Sequence, residues 1–361
     1  MKQIKDFTFR IVAGANVAAI VLMAVVGYSD RINPVDHQFW GVLGLCFPAV
    51  LAVNIAFMVF WLCTRKRWAL LPFIGLVVCY QPVTTYCALN VGRDVPDGAI
   101  KVLTFNVFQY HEWTPENPDP AVVRYILKQN ADIVCLEEAE LREDMQPQLD
   151  SLMASYAYHD TTLSHTGGDR ITIYSRFPII GKESIEYESV NNHSASFWLN
   201  IHGDSVAVIV NHLESICLTD EDKSDFKSLV KGDFDREKAA DESRTLYHKL
   251  GATTSRRAPQ ADSVAAYVSR QLERGRSIIL CGDFNDSPIS YCHYRLASLL
   301  DDCFVRAGNG LGISYHRDGF YVRIDHIMCS HDWQPYRCKV DRTTDVSDHY
   351  PVLCWLKKKK K

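Results

Sequence analysis

The pattern of apolar and polar positions divides the chain in two. Up to residue 92, apolar residues come in three long runs without a charged side chain, residues 11–29, 39–64 and 68–92. Each is long enough to cross a hydrocarbon core as a helix, which takes about 20 apolar residues. Pro72 and Pro82 make the third run the least regular of them, since each removes a helical hydrogen bond. Beyond residue 99 the apolar runs shorten to strand length, at residues 100–108, 132–136, 170–174, 197–201, 205–210, 277–281, 323–329 and 351–356. His202-Gly203-Asp204 reads as a hairpin turn, and Val122, Val123, Ile126 and Leu127 share one face of a helix opened by Asp119-Pro120. Residues 214–274 are charged and helical in pattern, with 218–252 reading as a peripheral excursion. The pattern predicts a membrane region at 1–92 with three helices (about 11–29, 39–64 and 68–91). A linker at 93–99, a mixed α/β domain at 100–356 and a lysine tail at 357–361 follow.

Composition agrees with a large folded core, at 361 residues, 47% hydrophobic and 23% charged, and excludes disorder. The formal net charge is −4, but the first 95 residues hold 8 of the 39 Lys/Arg and 4 of the 43 acids, which leaves the remainder at −8. Such a domain lacks the general basic surface that drives non-specific binding of polyanions. Lys2, Lys5 and Arg10 precede the first run, and Arg65, Lys66 and Arg67 join the second to the third. The loop between the first two carries Arg31 with Asp30 and Asp36. Because cytoplasmic loops collect Lys and Arg, three spans predict a domain outside the cytoplasm, on the periplasmic side of a bacterial inner membrane. A cleaved signal peptide would suit the basic start, but no small-x-small site follows and two further runs do.

The cysteine pattern holds no C-x-x-C, so neither a zinc site nor a thioredoxin-type motif is expected. Cys135, Cys281, Cys329 and Cys354 fall in apolar runs, where a buried free thiol is the default; an oxidising compartment leaves a disulfide open among Cys217, Cys292, Cys303 and Cys338.

Chemistry concentrates where apolar runs end. Thr104-Phe105-Asn106, Leu136-Glu137-Glu138, Asn211-His212, Gly282-Asp283-Phe284-Asn285, Arg323-Ile324-Asp325 and Ser347-Asp348-His349 each follow or interrupt a strand-like segment. Polar groups at the ends of neighbouring strands emerge along one rim of a sheet. Carboxylates, amides and imidazoles without cysteine suit a hard cation such as Mg²⁺, which prefers oxygen and keeps several waters. Each element alone is as readily a turn or a cap; their order and company are what carry weight.

In that order the motifs TFNVF (104–108), DIVCLEE (132–138), SRFPI (175–179), NHL (211–213), GDFNDSP (282–288), RIDHI (323–327) and SDHYPV (347–352) resemble the signatures of the endonuclease/exonuclease/phosphatase superfamily. The resemblance implies a DNase I-like fold, a four-layer α/β sandwich of two mixed sheets with the site at one edge. It also implies roles for individual residues. Glu138, Asn106 and Asp348 correspond to metal-site residues, with Mg²⁺ expected and Mn²⁺ as a substitute. Asp283 corresponds to the residue that activates water and Asn285 to the one that orients water or phosphate. His349 corresponds to the histidine on a non-bridging oxygen, Asp325 to its orienting carboxylate, and His212 to a group near the leaving oxygen. Asn106, Asn285, His349 and Arg170 are the expected substrate contacts. Glu137 stands where many members have Gln, which leaves open which of the two glutamates leads.

The resemblance implies a phosphodiester hydrolase, which the apolar runs before it would anchor in a membrane, with an endonuclease-like enzyme expected first. A lipid head-group or small-molecule phosphoesterase, sphingomyelinase-like, is the alternative, and a catalytically silent tethered module the third. A nuclease with this charge would need a local basic cluster, for which Arg170, Arg256, Arg257 and Arg323 lie nearest the motifs.

Overall fold

The computed structural model describes residues 2–114, 117–216, 219, 224, 236–317 and 319–359, without side chains for 2–5 and 236–242. Cys217 and residues 218, 220–223 and 225–235 of the 218–252 excursion lie outside the described residues.

Among them, twelve strands form two six-stranded sheets. The first has the order β11-β12-β1-β2-β4-β3 and the second β5-β6-β7-β8-β10-β9, in which β9 is the short edge strand Asp301–Asp302. The central strands are β1 (Ile100–Asn106), β2 (Ile133–Glu137), β4 (Arg170–Ser175) and β12 (Val352–Lys358) in the first sheet. In the second they are β6 (Ser194–Ile201), β7 (Asp204–His212), β8 (Ser277–Asp283) and β10 (Asp325–Cys329). β1 with β2 and β7 with β8 pair in parallel; the other pairs are antiparallel.

Alternation along each strand explains the layers. Val102, Ile133, Cys135 and Ile173 of the first sheet meet Phe197, Val208, Ile279 and Ile327 of the second in a shared core. Their neighbours Leu103, Phe105, Val134 and Leu136 face α6 (Ala121–Gln129) and α7 (Gln146–Leu152). Ala207, Ile209, Ile278 and Leu280 face α8 (Arg236–Glu273) and α9 (Tyr291–Ala297). Strands covered on both faces read as continuous apolar runs, which is why these were visible in the sequence. The architecture is the expected four-layer sandwich.

The edge strands were not visible. β3 (Tyr158–Leu163), β5 (Ile179–Ile185) and β11 (Trp333–Val340) carry exposed polar side chains along much of their length. Lys357 and Lys358, expected in a tail, extend β12 instead. α6 begins at Ala121 with Pro120 at its cap and no side-chain cap bond, so Asp119 serves by pairing with Arg124 rather than by capping. The described cysteines are free thiols.

The N-terminal region holds two helices apolar and long enough to cross a membrane, Asp6–Arg31 and Gln38–Thr64, and a third stretch, Lys66–Val78 with Tyr80–Tyr86, bent by 73°. The first of these overlaps α1 (Lys2–Gly27), the second contains α2 (Gln38–Leu43) and α3 (Phe47–Thr64), and the third α4 (Leu70–Val78) and α5 (Tyr80–Tyr86). Ala69, at the start of the third stretch, packs with Ala13 and Trp61. Cys79, at the bend, packs with Val26 and Phe47 at the opposite end of the bundle. The third stretch therefore runs the length of the bundle before α5 turns aside. Phe7, Ile11, Val21, Ile55, Val59, Leu70, Phe73 and Val77 are exposed apolar side chains on its outside.

Candidate active site

Strand register assembles the site. His212 pairs with Asp283 across β7 and β8, Asp325 pairs with Asp283 across β10 and β8, and Asn106 pairs with Glu137 across β1 and β2. Groups distant in sequence thus meet at one edge of the two facing sheets. Gly282 is required for this approach: its φ is +127°, and a Cβ there would lie 2.0 Å from the Asn211 carbonyl oxygen. Glu138 and Asn285 hold left-handed backbone, at φ 49° and 52°. Non-glycine residues adopt that conformation at a cost of order 1–3 kcal/mol, and such residues cluster at functional sites.

At the centre, Asn106 Nδ2 donates to Glu138 Oε1 at 3.1 Å and to Asp283 Oδ2 at 3.3 Å. Its Oδ1 is taken by the Phe108 amide. Asn106 thus clamps two carboxylates of the cluster. His349 Nδ1 lies 2.8 Å from Asp325 Oδ2, and its Nε2 lies 3.7 Å from Asp283 Oδ2. His212 Nε2 lies 3.7 Å from Glu138 Oε1 and 3.9 Å from Asp283 Oδ2. Asn285 receives nothing from the cluster through its amide, which donates to the Leu213 carbonyl and to Ser215 Oγ, while its backbone N–H donates to Asp283 Oδ1.

Of the two adjacent glutamates, Glu137 is fully buried and accepts from Thr104 Oγ1. Burial pushes its carboxyl well above the usual range, with Cys281, Asp325 and Asp283 adding to the effect, which favours its neutral form. Glu138 keeps a quarter of its side chain exposed and faces the cluster. Asp348 lies beside Ser347 Oγ, at 3.3 Å, and adds its charge to the field on His349.

Asp169, which the motifs did not single out, belongs to the site. Its Oδ2 lies 3.0 Å from His212 Nδ1 and 3.1 Å from His193 Nδ1. The Gly168-Asp169 turn before β4 was its one sequence signal. Arg170, the expected substrate contact, is turned over by strand alternation: its charge acts on Tyr110, Tyr174 and Glu140, and two of these lie in the helix-covered core. Tyr315 is a further unforeseen neighbour, its ring edge-on to His349 at 5.1 Å.

Charges in the site are strongly biased. Burial works against a cation on His212, but Asp169 outweighs it and lifts the imidazole to about 10. Burial likewise opposes a charged His349, and Asp325 and Asp283 together hold it well above the ordinary value. Asp283 rises to about 6, from burial and the neighbouring Asp325, with His349 and His212 pulling the other way. A cationic pair thus faces a carboxylate able to take a proton near neutral pH.

The donor chemistry fits a hard divalent cation. Glu138 offers oxygen on the solvent side, where a Mg²⁺ could keep its waters. Asp283, Asp325 and His349 also lie within ligand distance of one another, but all three are buried and His349 is already paired with Asp325. A second cluster of this kind, His293, Asp302 and His326, lies behind them. His326 follows Asp325 on β10, and strand alternation sends it to the helix side.

Comparisons with known proteins agree with the architecture. No curated protein sequence matches. The catalytic domain of human Nocturnin superposes with a TM-score of 0.52 at 16% identity, covering 73% of this chain and 96% of that one. The crystal structure of SmcL gives 0.50 at 15% identity, covering 73% and 100%. Residues 9–86 match a family described as a domain of unknown function. Residues 103–349 match the Endonuclease/Exonuclease/phosphatase family, and the chain is a phosphoester hydrolase belonging to it.

Proposed function

We propose that this chain is a membrane-anchored, Mg²⁺-dependent phosphodiesterase that uses Asp283, His349 and His212 around a cation held by Glu138. The observation that carries the reading is the convergence of these four side chains with Asn106 and Asp325, from both sheets, into one hydrogen-bonded edge. A bound Mg²⁺ would neutralise phosphoryl oxygens that otherwise repel a nucleophile. Asp283 takes a proton from a water molecule whose oxygen forms the new bond to phosphorus, opposite the ester oxygen that leaves. Cationic His349, held by Asp325, donates to a non-bridging oxygen as its charge grows. The departing alkoxide receives a proton from His212 Nε2, and Asp169 keeps that imidazole protonated and oriented.

Of the substrates weighed, a nucleic acid is the less favoured. Arg257 and Arg323, two of the four arginines nearest the motifs, are 1% and 2% exposed. Arg257 faces Asp286 at 3.6 Å and Arg323 donates to the Leu311 carbonyl, so neither is free for a phosphate. A silent module is disfavoured by the intact polar set. The charged ends of the helices support an extracytoplasmic domain, and the bundle supports it too. The loop between α1 and α3 contacts the domain, whereas Arg65 pairs with Asp6 at the far end.

The test is hydrolysis of bis-p-nitrophenyl phosphate by the full chain in detergent. Turnover should require Mg²⁺ or Mn²⁺ and stop with EDTA. Turnover indifferent to EDTA would reject the proposal.

A further inference from the structure

Two segments that leave the catalytic strands run directly into the helix bundle. The first follows β8. Asn285 is four residues from Ile289, which is 1% exposed and packs with Met23, Val26, Phe47, Leu51 and Cys79. Contact there is backbone-close, since a Cβ on Gly44 would sit 1.9 Å from the Ile289 carbonyl oxygen. The second precedes β10. Arg323, two residues before Asp325, donates to the Thr85 carbonyl at the end of α5 and lies over the Phe304 ring. Just upstream, Ala88 and Gly310 form a β-bridge, and Asn90 Nδ2 donates to the carbonyls of Val305 and Gly308. A third contact comes from α8, where Ser255 Oγ donates to the Pro34 carbonyl and Gly251 packs on Gln38. The domain is therefore seated on the bundle rather than hung from a loose linker.

That seating fixes the height of the site. Four extended residues span at most about 14 Å, so Asn285 lies no further than that from side chains packed between the ends of α1 and α3. The head-group layer of one leaflet is itself about 5–8 Å deep. The segments at this junction also carry exposed apolar side chains: Val35 and Phe39 between α1 and α3, Leu89 and Val91 after α5, and Leu311 before β10. Side chains of this kind are satisfied at the boundary between water and acyl chains.

We propose that the substrate is a phosphodiester lipid lying in the same leaflet, with its phosphate brought to Asp283 and His349 at the membrane surface. This rests on the reading of the helices as membrane-spanning and of the site as a phosphodiesterase. The reaction is the one already written, with water supplying the oxygen bonded to phosphorus and the lipid or head-group alcohol leaving with the proton from His212. Two-dimensional confinement raises the effective concentration of such a substrate at the site, a gain that a water-soluble ester does not receive.

The experiment uses the full chain reconstituted in phosphatidylcholine vesicles doped with phosphatidylglycerol, sphingomyelin or phosphatidylinositol, each compared with its short-chain soluble analogue and with bis-p-nitrophenyl phosphate. One doped lipid should be turned over at least about tenfold faster than its soluble analogue, with a rate that follows its mole fraction in the surface and not its bulk concentration. Asn90→Ala and Gly44→Val, which loosen the seat without touching the site, should lower lipid turnover severalfold and leave the soluble diester unchanged. Mg²⁺-dependent cleavage of the soluble diester with no preference for any vesicle lipid would overturn the inference and leave the phosphodiesterase reading intact. Absence of metal-dependent cleavage of every substrate would remove both. Equal loss on lipid and soluble diester in both variants would also overturn it, because the seat would then serve the chemistry and not the presentation of a lipid.

Discussion

Two buried clusters of like composition lie back to back on β10, one on each side of the Asp325-His326 pair. In the first, two carboxylates, Asp283 and Asp325, surround one imidazole, and His349 is held cationic. In the second, two imidazoles share one carboxylate. Asp302 accepts from His293 at 2.8 Å and from the Phe304 and Val305 amides that begin the next helix, while His326 Nδ1 lies 3.5 Å away. Burial pushes His326 down to about 4, and Asp302 only partly offsets it. The same residue types therefore hold an imidazole charged between two carboxylates in one place, and in the other leave the His326 imidazole pushed toward its neutral form beside an ionised Asp302. Both clusters are buried, so the balance of acids to imidazoles decides which.

The comparison breaks most visibly under substitution. His349→Ala, Asp283→Asn and Glu138→Gln should each lower kcat/KM by at least about 100-fold, the scale for loss of a catalytic base or of transition-state electrostatics. Asp302→Ala should instead leave kcat/KM of the folded enzyme near wild type. It should destabilise the protein by about 3 kcal/mol, as when one partner of a buried pair is removed. A catalytic loss from Asp302→Ala as large as that from His349→Ala, at equal folded fraction, would erase the distinction.

A second contrast separates the neighbouring glutamates. Burial favours the neutral form of Glu137, so Glu137→Gln, a near-isostere of the protonated acid, should leave kcat/KM close to wild type. Glu138→Gln should raise the Mg²⁺ concentration needed for half-maximal rate. Measured metal dependence of the two variants decides between them, and an unchanged Glu138→Gln beside a crippled Glu137→Gln would reverse the assignment.

How much of this was legible in the sequence follows the same physics. Central strands were readable because burial on both faces leaves continuous apolar runs, as in Ser277–Asp283; β3, β5 and β11 were not, because edge strands are guarded by polar side chains. Asn106, Glu138 and Asp283 were legible because each closes an apolar run, and Asp325 and His349 because each stands at the start of one. Asp169 was hidden in a Gly-Asp turn indistinguishable from ordinary punctuation, and the direction of Arg170 depended on a register the sequence does not display. The seat between Ile289 and the bundle depends on contacts between segments far apart in the chain, such as Gly44 with Ile289, and left no local trace.

A further expected effect is on pH. His326 binds its proton at about 4 in the fold, against about 6.5 unfolded, so the unfolded state holds more protons in that window. Stability is then intact above about pH 6.5 and falls as pH drops toward 4, by up to about 1.4 kcal/mol per unit. Thermal melts of wild type and His326→Asn across this range should converge at low pH. Parallel curves would show that His326 does not titrate in the fold.

The most direct measurement of the central claim is a Mg²⁺ titration of diester hydrolysis by the full chain, run side by side on wild type, Glu138→Gln and His349→Ala. The account predicts saturable, EDTA-reversible activity in the wild type. It also predicts a shifted metal requirement in Glu138→Gln, and in His349→Ala an unchanged requirement with a rate lower by at least about 100-fold. Wild-type rates in all three would contradict it.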